Sequence, residues 1–222
     1  MNPSAAKPGS ERIDCVVLEG PSVRLEPMTL EHHTALSQIG CDPELWRFTA
    51  SIVRTPADML DYILAAQKME SDGTGLPFVT VERSTGKVVG TTRFRNYDSI
   101  NRHLEIGFTW LAAPWQRTAI NTEAKYLMLT CAFETLGCVR VELRTHAMNT
   151  RSRNAILRLG ATEEGVLRKD TLMWNGQHRD TVYYSIIDEE WPKLKQRLEL
   201  LMARKNYALS GNPRNETRTG PG

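Results

Sequence analysis

Three short stretches place polar or charged side chains where an enzyme could use them. Glu105 and Gly107 alternate with apolar residues in "HLEIGFTWL", and the polar loop "QRTAINT", residues 116–122, precedes a helical pattern. Asn149 and Ser152 open a second helical pattern, "NTRSRNAILRLG". A carboxylate can accept a proton, a hydroxyl can pass one on, and the N–H groups of a helix start can bind an anion. The residues therefore suggest proton transfer beside an anion-binding loop.

The loop "RTAINT" has two interpretations. A helix N-terminus has unpaired N–H groups and the positive end of a dipole, so a loop that leads into it from a strand suits a phosphate. Alternatively, Asn121 or Thr122 only caps the helix and Arg117 is a solvated surface charge. The loop has no G-K-[ST] motif, which excludes the phosphate cradle of Walker-type nucleoside triphosphatases.

Glu105 lies in a strand pattern with two different faces. Alternation puts four apolar residues on one face, namely Leu104, Ile106, Phe108 and Trp110. It puts a polar set on the other face, namely Glu105, Gly107 and Thr109. Desolvation would prepare a partly buried Glu105 to accept a proton near neutral pH, and the alternative is a structural pair with an arginine such as Arg93. Gly107 indicates a bulge or the close approach of another backbone.

Asn149 and Ser152 also have a structural and a functional interpretation. Asn149 at an N-cap would accept a hydrogen bond from the backbone near Ser152, which explains both residues without catalysis. A serine in the first turn of a helix that follows a strand also lies where ligands bind in open sheets, and its hydroxyl could protonate a leaving group. The neighbouring arginines form a solvated face or reach a phosphate, and they are Arg151, Arg153 and Arg158.

Hydrophobic periods predict the elements that must position these groups. Strands are predicted in "SVRLEPM", "FVTVE", "KVVGTTRF", "HLEIGFTWL", "VRVELRTHA", "TLMW" and "DTVYYSII", with the turn "RNYDSINR" before the fourth. Helices are predicted over 29–40, 55–70, 121–137 and 149–160, and a last one begins near Glu189. The order predicts an α/β (α+β) fold, a mixed sheet with helices on both faces.

Length and composition limit the class of protein. The 222 residues predict one domain over 13–205, with polar, Pro- and Gly-rich tails at 1–12 and 206–222. A formal charge of +2 gives no electrostatic footprint for nucleic acid. Four cysteines show neither zinc-ligand spacing nor a disulfide framework, so no metal and a reducing cytoplasm are expected. The first residues have no apolar stretch typical of a leader and no long apolar run follows, so neither a leader nor a membrane partner is expected.

Four stretches together resemble one family. "LEIGFTWL", "WQRTAINTEAKYLML", "VELRTHAMNTRSRNAILRLGATEEGVLR" and "GQHRDTVYYSII" resemble the GNAT superfamily of N-acetyltransferases, and within it the ribosomal-protein N-terminal acetyltransferase-like branch. The resemblance runs from about Val23 to Trp191. It implies a mostly antiparallel, twisted sheet of about seven strands that opens between "LEIGFTWL" and "VRVELRT". It also implies acetyl-CoA as co-substrate and no metal.

The resemblance assigns the cofactor residues. The pantetheine arm would pair with the end of the open strand, residues Phe108, Thr109, Trp110 and Leu111. The family's phosphate loop, [QR]-x-x-G-x-[GA], falls on Gln116, Arg117, Thr118, Ala119, Ile120 and Asn121, followed by Thr122. Asn149 would contact the CoA arm. Ala119 and Asn121 depart from the pattern, and Ala119 would weaken binding if its position requires a positive φ.

The resemblance also assigns roles in the reaction. Glu105 would be the base, directly or through a water, and Ser152 the acid, with Tyr183 and Tyr184 as rival acids. Substrate contacts would come from Trp46 and Phe48 in "PELWRFT", from Arg93 and from Tyr183.

The acceptor would be a primary amine, either a peptide N-terminus or a small molecule. The departures at Ala119 and Asn121 leave a second hypothesis open, a non-catalytic acyl-CoA-binding or regulatory module of the same fold. Many relatives are dimers, so a homodimer also stays open.

Overall fold

The computed structural model describes residues 12–13 and 16–209, with side chains as far as residue 203. Within these residues the chain forms the strands β1 Leu18–Glu19, β2 Val23–Pro27, β3 Gly75–Glu82, β4 Lys87–Asp98, β5 His103–Leu111, β6 Arg140–His146, β7 Thr162–Leu172 and β8 His178–Ile187. The helices are α1 His33–Gly40, α2 Pro56–Ser71, α3 Ile120–Thr130, α4 Thr150–Leu159 and α5 Trp191–Leu209. The tails predicted at 1–12 and 206–222 lie mostly outside the described residues, although α5 continues past residue 205.

The strands form one sheet in the order β1-β2-β3-β4-β5-β6-β8-β7. All neighbours are antiparallel except β5 and β6, which run parallel. The mixed, mostly antiparallel fold with helices on both faces is therefore confirmed, with eight strands in the described chain instead of about seven. The additional strand, β1, has only two residues, which is too short for a period to reveal.

The last hairpin is longer than predicted. β7 begins at Thr162 instead of at "TLMW", and it lies at the edge of the sheet. Its side chains are exposed at nearly every position, so the sequence carries no alternation between buried and exposed residues there. Likewise, β4 continues to Asp98 through half of the predicted turn "RNYDSINR".

Two hydrophobic cores hold the helices against the sheet. One core joins the sheet to α3, α4 and α5, with Met128, Ile156 and Leu198 as their contributions. The other joins the opposite face to α1 and α2, with Leu36 and Ile63 fully buried. Burial on both faces fixes the positions of the strands between them.

A bulge in β5 changes which face its side chains occupy. Phe108 has a φ of 49°, and the pairing with β4 skips from Arg93–Gly107 to Thr91–Trp110. Beyond the bulge, Trp110 packs with the α1/α2 core, while Leu111 joins the other core. The predicted faces are therefore correct as far as Gly107 and wrong after it, because a bulge inserts one residue into the alternation.

The sheet opens between β5 and β6. Residues 103–105 pair with residues 140–142, and the pairing of these two strands ends there although both continue. This leaves the edges of residues 106–111 and 143–146 facing a gap, as the family resemblance implied.

Candidate active site

A cleft of about 700 Å³ follows the gap between β5 and β6. It brings together most of the predicted site residues, namely Trp46, Phe48, Glu105, Phe108, Thr109, Trp110, Leu111, Gln116, Arg117, Thr118, Asn121, Asn149 and Ser152. The remaining predicted residues do not line it, namely Arg93, Ala119, Ile120, Thr122 and Tyr183. We call the part beside the starts of α3 and α4 the loop half, and the part beside Glu105 and residues 46–51 the inner half.

The loop half is built by the turn that enters α3. Arg117 has a φ of 65°, whereas Ala119 has a φ of −71° and ordinary right-handed backbone. An alanine at position 119 therefore introduces no backbone strain. The helix begins at Ile120 without a side-chain cap, so the prediction that Asn121 or Thr122 caps it is wrong. Both residues lie in the first turn, where N–H groups have no acceptor within the helix.

Two arginines of α4 reach across to this turn. Arg151 donates to Gln116 Oε1 at 2.7 Å, and Gln116 in turn donates to the carbonyl of Leu111 at 2.8 Å. Arg158 donates to Thr122 Oγ1 at 3.1 Å. These contacts place positive charge beside the open first turn of α3. An anion in the loop half would therefore meet both backbone N–H groups and guanidinium groups.

Lys125 is a site residue that the sequence analysis missed. It lies on α3, is 4% exposed, and its Nζ donates to Thr92 Oγ1 at 2.8 Å and to Thr109 Oγ1 at 2.6 Å. Within the described residues no carboxylate forms an ion pair with it, and burial lowers the pKa of Lys125 to about 7. Its spacing of three and four residues from Met128 and Leu129, which puts it on a buried face of α3, is the signal that could have revealed it.

Asn149 and Ser152 have the predicted local geometry. Asn149 Oδ1 accepts a hydrogen bond from the backbone N–H of Ser152 at 3.1 Å, and Gly160 ends α4 with a φ of 99°. The N-cap interpretation of Asn149 is confirmed. Both side chains also line the cleft, so the structural and the functional interpretation are compatible.

Glu105 is buried in an ion-paired network and is 4% exposed. Its Oε2 accepts a very short hydrogen bond from Arg144 and one of 3.1 Å from Asn96, and it lies 3.6 Å from Arg95 Nε. The expected pairing with an arginine is therefore present, although the partners are Arg144 and Arg95 instead of Arg93. Burial acts to lower the pKa of Arg144, but the hydrogen bond and charge of Glu105 raise it above its usual value.

The second carboxylate oxygen of Glu105, Oε1, is available to a molecule in the cleft. Within the part of the chain that the structure describes, no donor reaches Oε1. A Cβ at Gly107 would lie 2.8 Å from this oxygen, so any larger residue there would cover it. The close approach that Gly107 indicated is thus to a carboxylate and not to another backbone.

The predicted substrate residues have mixed positions. Arg93 is 2% exposed and is packed between the rings of Tyr62 and Phe108, at 4.5 and 4.4 Å, so the structure does not present it to the cleft. Trp46 is buried, and its indole N–H donates to the carbonyl of Gly40 at 2.7 Å. Phe48 is half-buried at the cleft wall.

The two tyrosines are engaged elsewhere. Tyr183 accepts a hydrogen bond from Arg144 at 2.8 Å and donates to Asp170 at 3.2 Å. Tyr184 is fully buried, and its hydroxyl accepts a hydrogen bond from Arg153 at 3.0 Å. Neither lines the cleft, whereas Ser152 does.

Among the described residues, no helix is long and apolar enough to cross a membrane. The same part of the chain contains no group of side chains that could hold a metal ion.

Comparison with known proteins agrees with this geometry. The family model of the acetyltransferase (GNAT) domain matches residues 22–162. The crystal structure of a GCN5-related N-acetyltransferase from Brucella melitensis superposes with a TM-score of 0.80 at 27% identity, covering 95% of this chain and 91% of that one.

Two curated proteins of Bacillus subtilis (strain 168) are similar over shorter stretches. "Putative ribosomal N-acetyltransferase YdaF" is 40% identical over 106 residues, which are 48% of this chain and 57% of that protein. "Uncharacterized N-acetyltransferase YoaA" is 29% identical over 113 residues, which are 51% of this chain and 63% of that protein. The matches therefore span less than two thirds of either relative.

Proposed function

The chain belongs to the GNAT family of acetyltransferases, and from this premise we propose that it is an N-acetyltransferase that transfers the acetyl group of acetyl-CoA directly to a primary amine. The observation that carries the proposal is the opening between β5 and β6. Its cleft has the start of a helix in one half and, along its walls, a carboxylate and a hydroxyl.

The donors of the loop half fit the diphosphate of CoA. The first-turn N–H groups of Asn121 and Thr122 are joined there by the guanidinium groups of Arg117, Arg151 and Arg158. Backbone N–H groups and arginines are the groups that bind phosphate in proteins. We infer that these residues hold the diphosphate and that Gln116 and Thr118 shape the turn.

The unpaired edge of β5 supports binding of the CoA arm. From Phe108 to Leu111 this edge has no β6 partner, so backbone groups that point into the gap can pair with an extended chain with amides, such as pantetheine, although the carbonyls of Phe108 and Leu111 already accept hydrogen bonds from Thr91 and Gln116. Asn149 lines the same cleft and offers an amide side chain. Acetyl-CoA, when bound, supplies an activated acetyl thioester.

The chain's own residues then move two protons. An alkyl amine is protonated at neutral pH, so a base must remove a proton before it can attack. Glu105 takes that proton through Oε1, directly or through a water. The amine nitrogen then bonds to the acetyl carbon, and N–H groups of the β5 edge stabilise the charge that develops on the acetyl oxygen. As the C–S bond breaks, Ser152 protonates the departing sulfur, and its hydroxyl regains a proton from the former amine nitrogen, directly or through a water.

The structure weakens the motive for a non-catalytic acyl-CoA-binding module. That hypothesis depended on Ala119 and Asn121 impairing the loop, and Ala119 has a backbone conformation that alanine adopts without strain. Asn121 lies in the first turn and lines the cleft. The name of YdaF points to a ribosomal protein as acceptor, and a protein N-terminus is one form of the proposed amine.

The first test is binding. A ligand that binds only the folded state raises the melting temperature, so acetyl-CoA and desulfo-CoA should both stabilise the protein while ATP should not. Arg117→Gln should reduce the shift, and Arg168→Gln, on the exposed strand β7, should not. No shift with millimolar acetyl-CoA would contradict the cofactor assignment.

The second test is turnover. Release of free thiol from acetyl-CoA in the presence of peptide N-termini or small amines is the expected result. Binding of acetyl-CoA without thiol release for any amine would instead support the non-catalytic module.

A further inference from the structure

The inner half of the cleft contains an excess of positive charge. Four guanidinium groups lie in or behind its wall, and we call them the arginine cluster: Arg93, Arg95, Arg144 and Arg179. Arg95 interacts electrostatically with Arg93 and Arg144, and Arg179 interacts with Arg144. Two carboxylates face them, Glu105 and Asp170. The arginines come from β4, β6 and β8, so the cluster exists only in the folded sheet.

Two members of the cluster have N–H donors that bind no acceptor in the described chain. The side chain of Arg95 makes no hydrogen bond within the described chain, and its guanidinium group lies 3.6 Å from Glu105 and 5.1 Å from the ring centre of Phe108. Arg179 donates through Nη1 to the carbonyl of Phe48 at 2.9 Å and through Nε to Thr181, which leaves Nη2 without an acceptor in the described chain. Both Arg95 and Arg179 line the cleft.

The other two members have structural roles. Arg144 is held by Glu105 and Tyr183, and Arg93 is stacked between two aromatic rings. Packing and pairing therefore explain Arg93 and Arg144. They do not explain why Arg95 and Arg179 present unused donors to a cleft.

The arginines of the cluster repel one another, and a further anion would offset this repulsion. Burial lowers the pKa of Arg95, and the charges of Arg144 and Arg93 lower it further. The charge of Glu105 acts to raise this pKa but does not cancel the other effects. Burial and the charge of Arg144 lower the pKa of Arg179, and the charges of Asp170 and Glu105, which act to raise it, do not cancel this effect. Arginine nevertheless stays protonated in proteins, so an anion that enters the cleft would be stabilised by this charge.

We propose that Arg95 and Arg179 bind a carboxylate of the acceptor, so that the acceptor is a primary amine that carries a carboxylate group. The inference rests on the proposed acetyl transfer. Glu105 and Arg95 lie side by side, and a molecule with neighbouring ammonium and carboxylate groups meets an opposite charge for each. Two sources share this chemistry: a free amino acid, and a peptide N-terminus with an acidic residue close to it.

The test compares acceptors that differ only in this charge. Thiol release is measured for amino acids and their carboxamides, and for short C-terminally amidated peptides with Asp, Asn or Lys in the second position. We expect the carboxylate to raise kcat/KM by at least about tenfold in one of the two series. The series in which it does so identifies the source of the carboxylate.

Three variants assign the effect to the cluster. Arg95→Gln should lower kcat/KM for the carboxylate acceptor by more than for the uncharged acceptor, so that the preference is lost; the rate with the uncharged acceptor measures any effect that passes through Glu105. Arg95→Lys should restore part of the preference, because a lysine keeps the charge, whereas a role in packing alone would not be restored. Arg168→Gln, which removes an exposed arginine of β7 outside the cleft, should keep the full preference.

Failure of the inference and failure of the proposed function are distinguishable. Thiol release with equal kcat/KM for carboxylate and carboxamide, or with a preference for Lys in the second position, overturns the anion subsite and leaves the acetyltransferase intact.

If no amine releases thiol, calorimetric binding of N-acetylaspartate and of its diamide in the presence of CoA decides the question. Tighter binding of the carboxylate form that disappears in Arg95→Gln supports the subsite, and equal or no binding of the two overturns it.

Discussion

The two halves of the cleft are built in different ways. The loop half comes from two contiguous segments, residues 116–125 and 149–158, whose helix starts form it directly. The inner half is assembled from side chains on β4, β5, β6 and β8, which are far apart in sequence. A site made from local segments can be recognised in the sequence, whereas one made by strand pairing requires the register of the sheet.

The two halves of the cleft also surround their buried cations with different groups. Lys125 in the loop half meets two hydroxyl groups and the sulfur of Met128, with no carboxylate among its described partners, and its pKa falls to about 7. Arg144 in the inner half meets a carboxylate, and its pKa rises. Lysine can release its proton when it is buried and unpaired, but arginine cannot, so the inner half keeps its charge across the physiological range.

The largest expected effect tests whether the halves act independently. Glu105→Gln removes the proposed base and should lower kcat by roughly 10²-fold or more, the usual contribution of general base catalysis. It also leaves Arg144 and Arg95 without their carboxylate, so the protein should lose stability. Steady-state thiol release and thermal denaturation measure the two effects.

The binding of acetyl-CoA provides the control for Glu105→Gln. The loop half contains no contact with Glu105, so the dissociation constant of acetyl-CoA should stay within about threefold of the wild type. A fall in cofactor affinity as large as the fall in kcat would show that the two halves are one coupled unit.

The next effect concerns stability and pH in the loop half. The pKa of Lys125 is about 7 in the folded protein, whereas the ordinary pKa of a lysine is 10.5, so the unfolded state binds more protons between these pH values. The unfavourable contribution of Lys125 is therefore complete below pH 7 and disappears as the pH rises toward 10.5. Lys125→Met removes it at every pH.

Lys125→Met should accordingly be more stable than the wild type near pH 6, with an advantage that shrinks by roughly 2–3 kcal/mol at about pH 9. Urea denaturation at the two pH values measures the difference. Thr92 and Thr109 lie 2.8 Å apart and can bond each other after the change. Lys87→Met, at an exposed position of β4, is the matched control. A pH-independent difference would show that the amine of Lys125 does not titrate in this range.

A smaller effect separates capping from cofactor binding at Asn149. Asn149→Ala removes the acceptor of the Ser152 N–H and should lower stability by about 1 kcal/mol. Asn149→Asp keeps a capping oxygen, so stability should be retained, but its negative charge should raise the KM for acetyl-CoA. Thermal denaturation and initial rates give both values, and equal KM values for Asn149→Asp and the wild type would place residue 149 outside the cofactor site.

Local patterns in the sequence predicted much of the loop half and of the sheet. The limits of β5, the Asn149 cap and the Gly160 stop follow from alternation and capping, which depend on neighbouring residues. The bulge at Phe108 was not predictable in this way, because apolar residues continue on both sides of it and the alternation conceals the extra residue.

The arginine cluster was missed for a related reason. Arg144 alternates with Val141, Leu143 and Thr145 in β6, a pattern that is typical of a solvated outer face. Arg95 lay in a stretch predicted as a turn, although β4 continues through it. Only the pairing of Arg95 with Glu105 across the sheet brings these charges together.

The smallest expected effect tests the departure of the loop from its family pattern. Ala119→Gly restores the family's glycine at a residue whose φ is already −71°, so it relieves no strain. Glycine at such a helix start should lower stability by only a few tenths of a kcal/mol, and the affinity for acetyl-CoA should not improve.

Arg117→Gly is the informative partner, because Arg117 has the positive φ of the turn. It should stabilise the free protein slightly and weaken acetyl-CoA binding through loss of charge. Titration calorimetry and denaturation of both variants provide the values. Tenfold tighter binding of acetyl-CoA by Ala119→Gly would mean that Ala119, and not Arg117, limits the affinity of the loop half for its anion.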